Sequence, residues 1–269
     1  MTVQAPPRTR QSLADDRRLT FVRAVRGEWI KLATLRSTWW SIGIAAVLTI
    51  GIAVLIAQAV DVPGFDPIQA VVMPIQFTML LAGILGAISV TGEYSTGMIR
   101  STLAANPKRG SVLAAKATVI ALFLFVASVV IFALAAVAVS AVVASRDQGI
   151  DWSDPAASLL PILVSSVAMA VFALIGVAFG FILRSGAGAI AATVGLLFVL
   201  PIVASFFAIA GEAWAWVTDA ANYLPVAAAQ SAILPDGAAL ETPVAFLTLA
   251  AWVVGGMLVA WAVLRGRDA

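Results

Sequence analysis

The chain contains no cysteine and no histidine. Without cysteine there is no disulfide, no thiolate nucleophile and no sulfur ligand for a metal, and the redox compartment leaves no mark. Without histidine there is no imidazole ligand and no imidazole general base. Metalloprotease and thiol mechanisms are thereby removed. Charge is scarce too. Asp, Glu, Lys and Arg make up 11% of the 269 residues, against about 25% in a soluble globular chain. No two aspartates lie within the long apolar runs, which removes an intramembrane aspartyl protease. The phosphate-loop pattern G-x-x-x-x-G-K-[ST] is absent, so the chain does not hydrolyse ATP by that route. The chain is therefore not expected to be an enzyme. It is expected to bind no metal and no cofactor, and the net charge of only +2 brings no expectation of a nucleic-acid partner.

What is present is apolar. Hydrophobic residues make up 62% of the chain and the mean hydropathy is +1.03. So apolar a chain cannot cover itself with polar groups, and its solvent is lipid. Six stretches are long enough to cross a bilayer as helices: about 39–59, 70–90, 112–144, 157–183, 187–210 and 243–264. They are continuous and lack the ten-residue alternation of a membrane barrel. The fold class is all-α integral membrane, with a six-helix transmembrane domain over 39–264.

The Lys and Arg residues set an orientation. Fifteen of the sixteen fall before the first span, between spans two and three, in the four–five turn or after span six. Only Arg146 falls on the other side, together with Asp61, Asp66, Asp147, Asp151, Asp154, Glu212, Asp219, Asp236 and Glu241. The positive-inside rule then places both termini in the cytoplasm of a multi-pass plasma-membrane protein. An odd number of spans spoils this separation. No secretory signal is evident, because the first apolar run starts too late and has no small-residue cleavage site. Residues 1–19 read as a disordered basic cytoplasmic tail and 265–269 as a short one.

Residues 20–38 read as an amphipathic interfacial helix. Val22, Val25, Trp29, Leu32 and Ala33 share one arc; Arg23, Gly27, Lys31 and Thr34 lie opposite. Trp39 and Trp40 mark the membrane surface where the first span begins.

The loop over 91–111 is patterned. The spacing predicts a short helix from Glu93 to about Ala104, with Thr91 as N-cap and Glu93 in the first turn. Tyr94, Met98, Ile99 and Leu103 give it an apolar side, Arg100 projects elsewhere, and Asn106-Pro107 ends it. Basic residues alone fit a loop that merely obeys the charge rule. An apolar side needs a cover, and a docking soluble partner supplies one.

Glu93, Gly97, Leu103, Pro107, Arg109, Leu113 and Lys116 follow the order E-x3-G-x5-L-x3-P-x-R-x3-L-x2-K. With the basic stretch "GEWIKLATLRSTWW" before span one and "NYLPVAAAQSAI" before span six, the chain resembles the six-span permease subunits of type-2 ATP-binding-cassette (ABC) exporters, in versions common in actinobacteria. The resemblance implies that the two–three loop is a coupling helix seated in a groove of a separate ATPase subunit. Glu93, Tyr94, Gly97, Met98, Ile99, Arg100, Leu103, Pro107 and Arg109 are the residues it assigns to that role. It implies a homodimer of this chain with two copies of the ATPase, which bind ATP and Mg in place of this chain. It places the substrate pathway along spans two and five, with Met73, Gln76, Phe77 and Thr78 on one and Thr193, Phe198, Pro201, Ser205 and Phe206 on the other. Pro74 and Pro201 are candidate kinks.

The mostly uncharged spans suit an amphipathic or hydrophobic cargo (a drug, peptide antibiotic or lipid-like molecule) better than an ion. The external loop 211–242, with Trp214, Trp216 and Tyr223, reads either as an interfacial loop or, by the same resemblance, as short re-entrant helices over the outer gate. Gly176/Gly180 and Gly255/Gly256 read as close helix packing. Rival readings are a membrane anchor or assembly protein, and a secondary carrier without an ATPase.

Overall fold

A computed structural model describes residues 20–266 apart from 61, 63, 64, 147, 148 and 210. The expected tail at 1–19 lies outside the described residues, as do residues 267–269 of the expected tail at 265–269, whose Arg265 and Gly266 belong instead to the last helix. Among the described residues the chain is helical with no strand, and six helices are long and apolar enough to cross a membrane. In lipid every backbone N–H and C=O must find a partner within its own segment, and a helix provides that.

An opening helix, α1 (Phe21–Thr34), precedes the spans. Span one is α2 (Arg36–Ala59). Span two is α3 (Pro67–Val72) followed by α4 (Ile75–Ser95), broken at Met73-Pro74. Pro74 lacks the N–H that would continue the ladder, so the expected kink is a true break. A short helix α5 (Met98–Ala105) leads to span three, α6 (Arg109–Val143). Span four is α7 (Pro155–Leu183). Span five is α8 (Gly186–Val194), a π-helical turn at Gly195–Val199 and α9 (Leu200–Phe207). That wide turn lies just ahead of Pro201, where a proline takes away a backbone donor. Span six is α12 (Thr242–Gly266), preceded by the short helices α10 (Ala215–Ala221) and α11 (Pro225–Ile233).

The sequence starts several of these helices with recognisable caps. Asp66 accepts from the Ile68 N–H at 3.0 Å with Pro67 at the first helical position. Asp154 does the same for Ala156 at 2.9 Å with Pro155 behind it. Each side chain satisfies an orphan donor, and each proline sits where its missing N–H costs nothing.

Spans two, three and four form the core, and spans one, five and six form the rim. The tightest seam joins span two to span four, where backbones touch. A Cβ at Gly86 would fall on the Ala173 carbonyl, and one at Gly176 would fall on the Gly83 carbonyl. Gly180 faces the Val90 side chain, and Gly256 on span six faces Ala178. Only glycine permits such approach between membrane helices. Gly255 meets nothing nearby. Span one buries a stripe of small residues only: Thr38, Ala45, Thr49, Ala53 and Ala57. The 211–242 segment holds short helices, and α11 is buried against spans four and six.

α1, α5, the four–five turn and the end of span six share one end of the bundle, the basic end, which carries the described Lys and Arg residues other than Arg146.

Candidate functional site

Four charged side chains from three helices meet at the basic end. Glu28 comes from α1, Glu93 from the last turn of α4 and Lys116 from the second turn of α6; Lys31 follows Glu28 one turn along α1. Lys116 donates to Glu28 Oε2 at 2.5 Å, to Glu93 Oε1 at 2.6 Å and to the Ser89 carbonyl at 3.3 Å. Lys31 donates to Glu28 Oε1 at 2.8 Å, to Glu93 Oε1 at 3.0 Å and to Thr102 Oγ1 at 3.2 Å. Each ammonium has three N–H groups, and each finds three acceptors. Thr102 on α5 in turn donates to Glu93 Oε2 at 3.4 Å.

Glu28, Glu93 and Lys116 are 6%, 3% and 3% exposed. Charges so deeply buried are costly unless paired and hydrogen-bonded, and this cluster is both, with two of each sign. Lys31 is half-buried. Burial pulls its ammonium down, but the hydrogen bonds and negative charge of Glu28 and then Glu93 outweigh that and hold it above its ordinary 10.5.

A second set of contacts ties the same end to spans four and six. Tyr94 packs edge-on against Phe181, and the Arg184 guanidinium lies 5.3 Å above the Tyr94 ring. Arg184 caps span four in the left-handed conformation, φ 52°. Arg109 donates from Nη1 to the Leu264 carbonyl at 2.7 Å, at the C-terminal end of span six. Those last carbonyls lack helical partners and carry partial negative charge, so a guanidinium is well placed there.

Several sequence expectations change here. The short helix does not begin at Glu93. Span two stays helical through Ser95, Thr91 donates to the Ala87 carbonyl and caps nothing, and the break comes at Gly97 with φ 70°. A positive φ is where glycine is at ease, and the helix turns only where that residue allows it. The apolar side of the short helix is covered by the chain itself. Ile99 is 2% exposed and Leu103 is half-buried, so of Tyr94, Met98, Ile99 and Leu103 only Met98, at 40%, faces out. Arg100, Ser101, Ala104, Ala105, Pro107 and Lys108 are exposed beside Met98, so the outward surface of this loop mixes small apolar groups with two basic residues. In α1, Lys31 and Gly27 turn inward while Val22, Trp29 and Ile30 face outward. The inward pull is the ion cluster, which a sorting by hydropathy overlooks. Glu28 was missed entirely, although it is the sole acid between residues 17 and 60, as Glu93 is between 67 and 146. An isolated acid in a basic flank and a lysine set inside an apolar run are the signals that would have paired them.

Of the expected pathway residues, Met73, Gln76, Phe77, Phe198, Ser205 and Phe206 are exposed and Pro201 is half-buried. Thr78 and Thr193 are not open to any passage within this chain. Thr78 donates to the Pro74 carbonyl, and the Thr193 methyl packs over Gly83.

Fold and site together define a polytopic α-helical membrane protein. Its opening helix and a short loop helix are locked to the bundle by buried charge. The sequence pattern of the family described as "ABC-2 family transporter protein" matches residues 24–204, well over half of the chain, and the protein belongs to that family. It is thus a permease-type membrane component, and such components in general work with an ABC ATPase. No curated protein matches the chain significantly.

Proposed function

We propose that this chain is the membrane-spanning subunit of an ATP-driven exporter. Two copies assemble with two ATPase subunits that bind ATP and Mg, and the basic end faces the cytoplasm. The helix Met98–Ala105 is the peg on which the ATPase pulls. One observation carries this reading: that short helix and the turn after it expose Arg100 and Lys108, while its root is fixed by Thr102, Glu93 and Ile99 into the cluster joining α1, span two and span three. A displacement of the peg is passed to those elements as one body, because packed interfaces shift between discrete arrangements and do not bend.

Within this proposal Arg100, Met98, Pro107 and Lys108 meet the ATPase. Gly97 is the corner at which the chain turns from span two into the peg, and Glu93, Tyr94, Ile99, Leu103 and Arg109 hold the peg to spans two, three, four and six. The cargo is amphipathic or hydrophobic. It passes between copies along the exposed faces of spans two and five, where Met73, Gln76, Phe77, Phe198, Pro201, Ser205 and Phe206 lie.

The test is co-purification with the ATPase, together with ATPase activity stimulated by the permease. Reversing the two exposed charges, Arg100→Glu with Lys108→Glu, lowers both several-fold, and the wild-type association weakens as salt is raised. Insertion and thermal stability stay unchanged. Undiminished coupling reduces the loop to a topology signal. If a tagged copy retains no ATPase at all, the chain is an anchor or assembly protein.

A further inference from the structure

A slot of about 470 Å³ opens between α1, span one, span two and span three, and reaches the ion cluster. It follows span two from Leu81 to Ser95 and Thr96. At about 1.5 Å of rise per residue, Leu81 and Ser95 lie about 21 Å apart. One leaflet of a bilayer, half of roughly 40–45 Å with its headgroups, has that depth.

The wall changes character along this length. Leu81, Ile84, Leu85, Val119 and Ile120 line the inner part. Glu28, Lys31, Ser89, Glu93, Ser95 and Thr96 line the part near the basic end. An apolar shaft one leaflet deep with a polar mouth fits one acyl chain of a bilayer lipid, with its head at the mouth and its second chain in the surrounding bilayer.

The mouth also discriminates among heads. Ser89 donates to the Gly86 carbonyl at 2.6 Å, and Ser95 and Thr96 donate to the Gly92 carbonyl at 3.0 Å and 2.8 Å. Their protons are committed to their own helix, so these hydroxyls offer lone pairs. Lys31 and Lys116 have spent their donors on Glu28, Glu93, Thr102 and the Ser89 carbonyl. The span-two side of the wall therefore accepts hydrogen bonds, while Ser37, Thr38 and Ser41 of span one line the same slot and can donate to a phosphate. A head bearing N–H donors suits it, and a quaternary ammonium has none to give.

We infer that the slot is a site for a resident lipid of the leaflet at the basic end, with a primary-amine head of the phosphatidylethanolamine type. It is distinct from the cargo path on the exposed faces of spans two and five. Because it shares Glu28, Lys31, Glu93 and Lys116 with the ion cluster, the lipid becomes part of the joint between α1 and span two.

Gly92 supplies a clean variant. It lines the slot, and a Cβ there meets nothing within 4 Å. Leucine is also a far better helix former, so Gly92→Leu plugs the slot from a sound helix. The full chain is placed in nanodiscs containing a trace of phosphatidylethanolamine with a photoactivatable group in its tail. It is irradiated, and the labelled peptides are mapped by mass spectrometry. A matched phosphatidylcholine probe runs in parallel. The ethanolamine probe is expected to label residues 35–41 and 81–92 several-fold more than the choline probe does. Gly92→Leu should abolish that excess and leave labelling of spans five and six unchanged, which also reports intact folding. Ile88→Trp fills the same slot from a second position, should Gly92→Leu fail that folding control. Equal labelling by the two probes overturns the head assignment, and labelling indifferent to the plug overturns the site. The readout needs neither nucleotide nor ATPase, so it stands or falls separately from the proposed transport role.

Discussion

The two ends of this bundle are fastened in different ways. At the basic end, α1, span two, the peg helix and span three converge on four side-chain charges with every ammonium proton used. At the opposite end the single basic residue, Arg146, donates to the Ala57 carbonyl at 2.9 Å and the Gln58 carbonyl at 3.0 Å, tying span three to the end of span one. Among the described residues this guanidinium reaches backbone oxygens, and the chain there breaks into short helices. The difference fits the proposed role, in which the basic end moves as a block. A buried ion cluster has one good arrangement and penalises every partial one, so the elements that share it shift together. A side chain on helix-terminal carbonyls, one of them exposed, leaves groups that water can reach in its place.

The strongest way to break this contrast is Lys116→Met. It leaves Glu28 and Glu93 buried beside each other with only half-buried Lys31 in reach. Stranding a buried charge in this way costs about 3–5 kcal/mol. In detergent that lowers the unfolding temperature by on the order of 10 °C, measured by the loss of monodisperse protein on heating. Adding Glu28→Gln and Glu93→Gln to the same chain should restore most of the loss, because the cost belongs to unpaired charge and not to missing volume. If the triple variant is as unstable as the single one, the cluster is merely packing.

Arg146→Gln tests the other end. It removes hydrogen bonds from carbonyls at a helix terminus, where a cation contributes about 1–2 kcal/mol. The expected fall in unfolding temperature is less than half that of Lys116→Met, and peg-dependent ATPase stimulation stays intact. An effect as large as that of Lys116→Met would mean that the two ends are equally rigid.

The contrast also explains what the sequence disclosed. The six spans and the segregation of charge along the sequence were legible because hydropathy is a property of each residue alone and lipid punishes every exception, though span two runs on past its expected end to Ser95. The helix breaks at Gly97 and Pro74 are local chemistry as well, though Gly97 was passed over in favour of a cap at Thr91. The cluster was not legible. It depends on residues 28, 31, 93 and 116 meeting in space, and within α1 a buried lysine and a lipid-facing one look alike. The same blindness made Tyr94, Ile99 and Leu103 seem an uncovered stripe, when Phe181 of span four packs on Tyr94 and Ile99 is buried within the chain. Thr78 and Thr193 read as pathway residues for want of the knowledge that spans two, four and five pack without a gap at those positions.

The smallest effect concerns pH and isolates Lys31. Its ammonium faces Glu28 on its own helix, Glu93 at the end of span two, Lys116 on span three and Thr102 on the peg. Its folded-state pKa lies above 10.5, so the folded chain holds that proton more tightly than the unfolded one. The stabilisation is therefore fully present below pH 10.5 and is lost as pH rises through the folded value. Lys31 is partly open to solvent and screened, so its share is about 1 kcal/mol or less. Lys31→Met should lower the unfolding temperature by the same few degrees at pH 6 and at pH 9. The gap from the wild type should narrow only under more alkaline conditions. A gap that already closes between pH 6 and pH 9 would show that Lys31 lets its proton go too easily to belong to the joint, leaving α1 held by Glu28 and Lys116 alone.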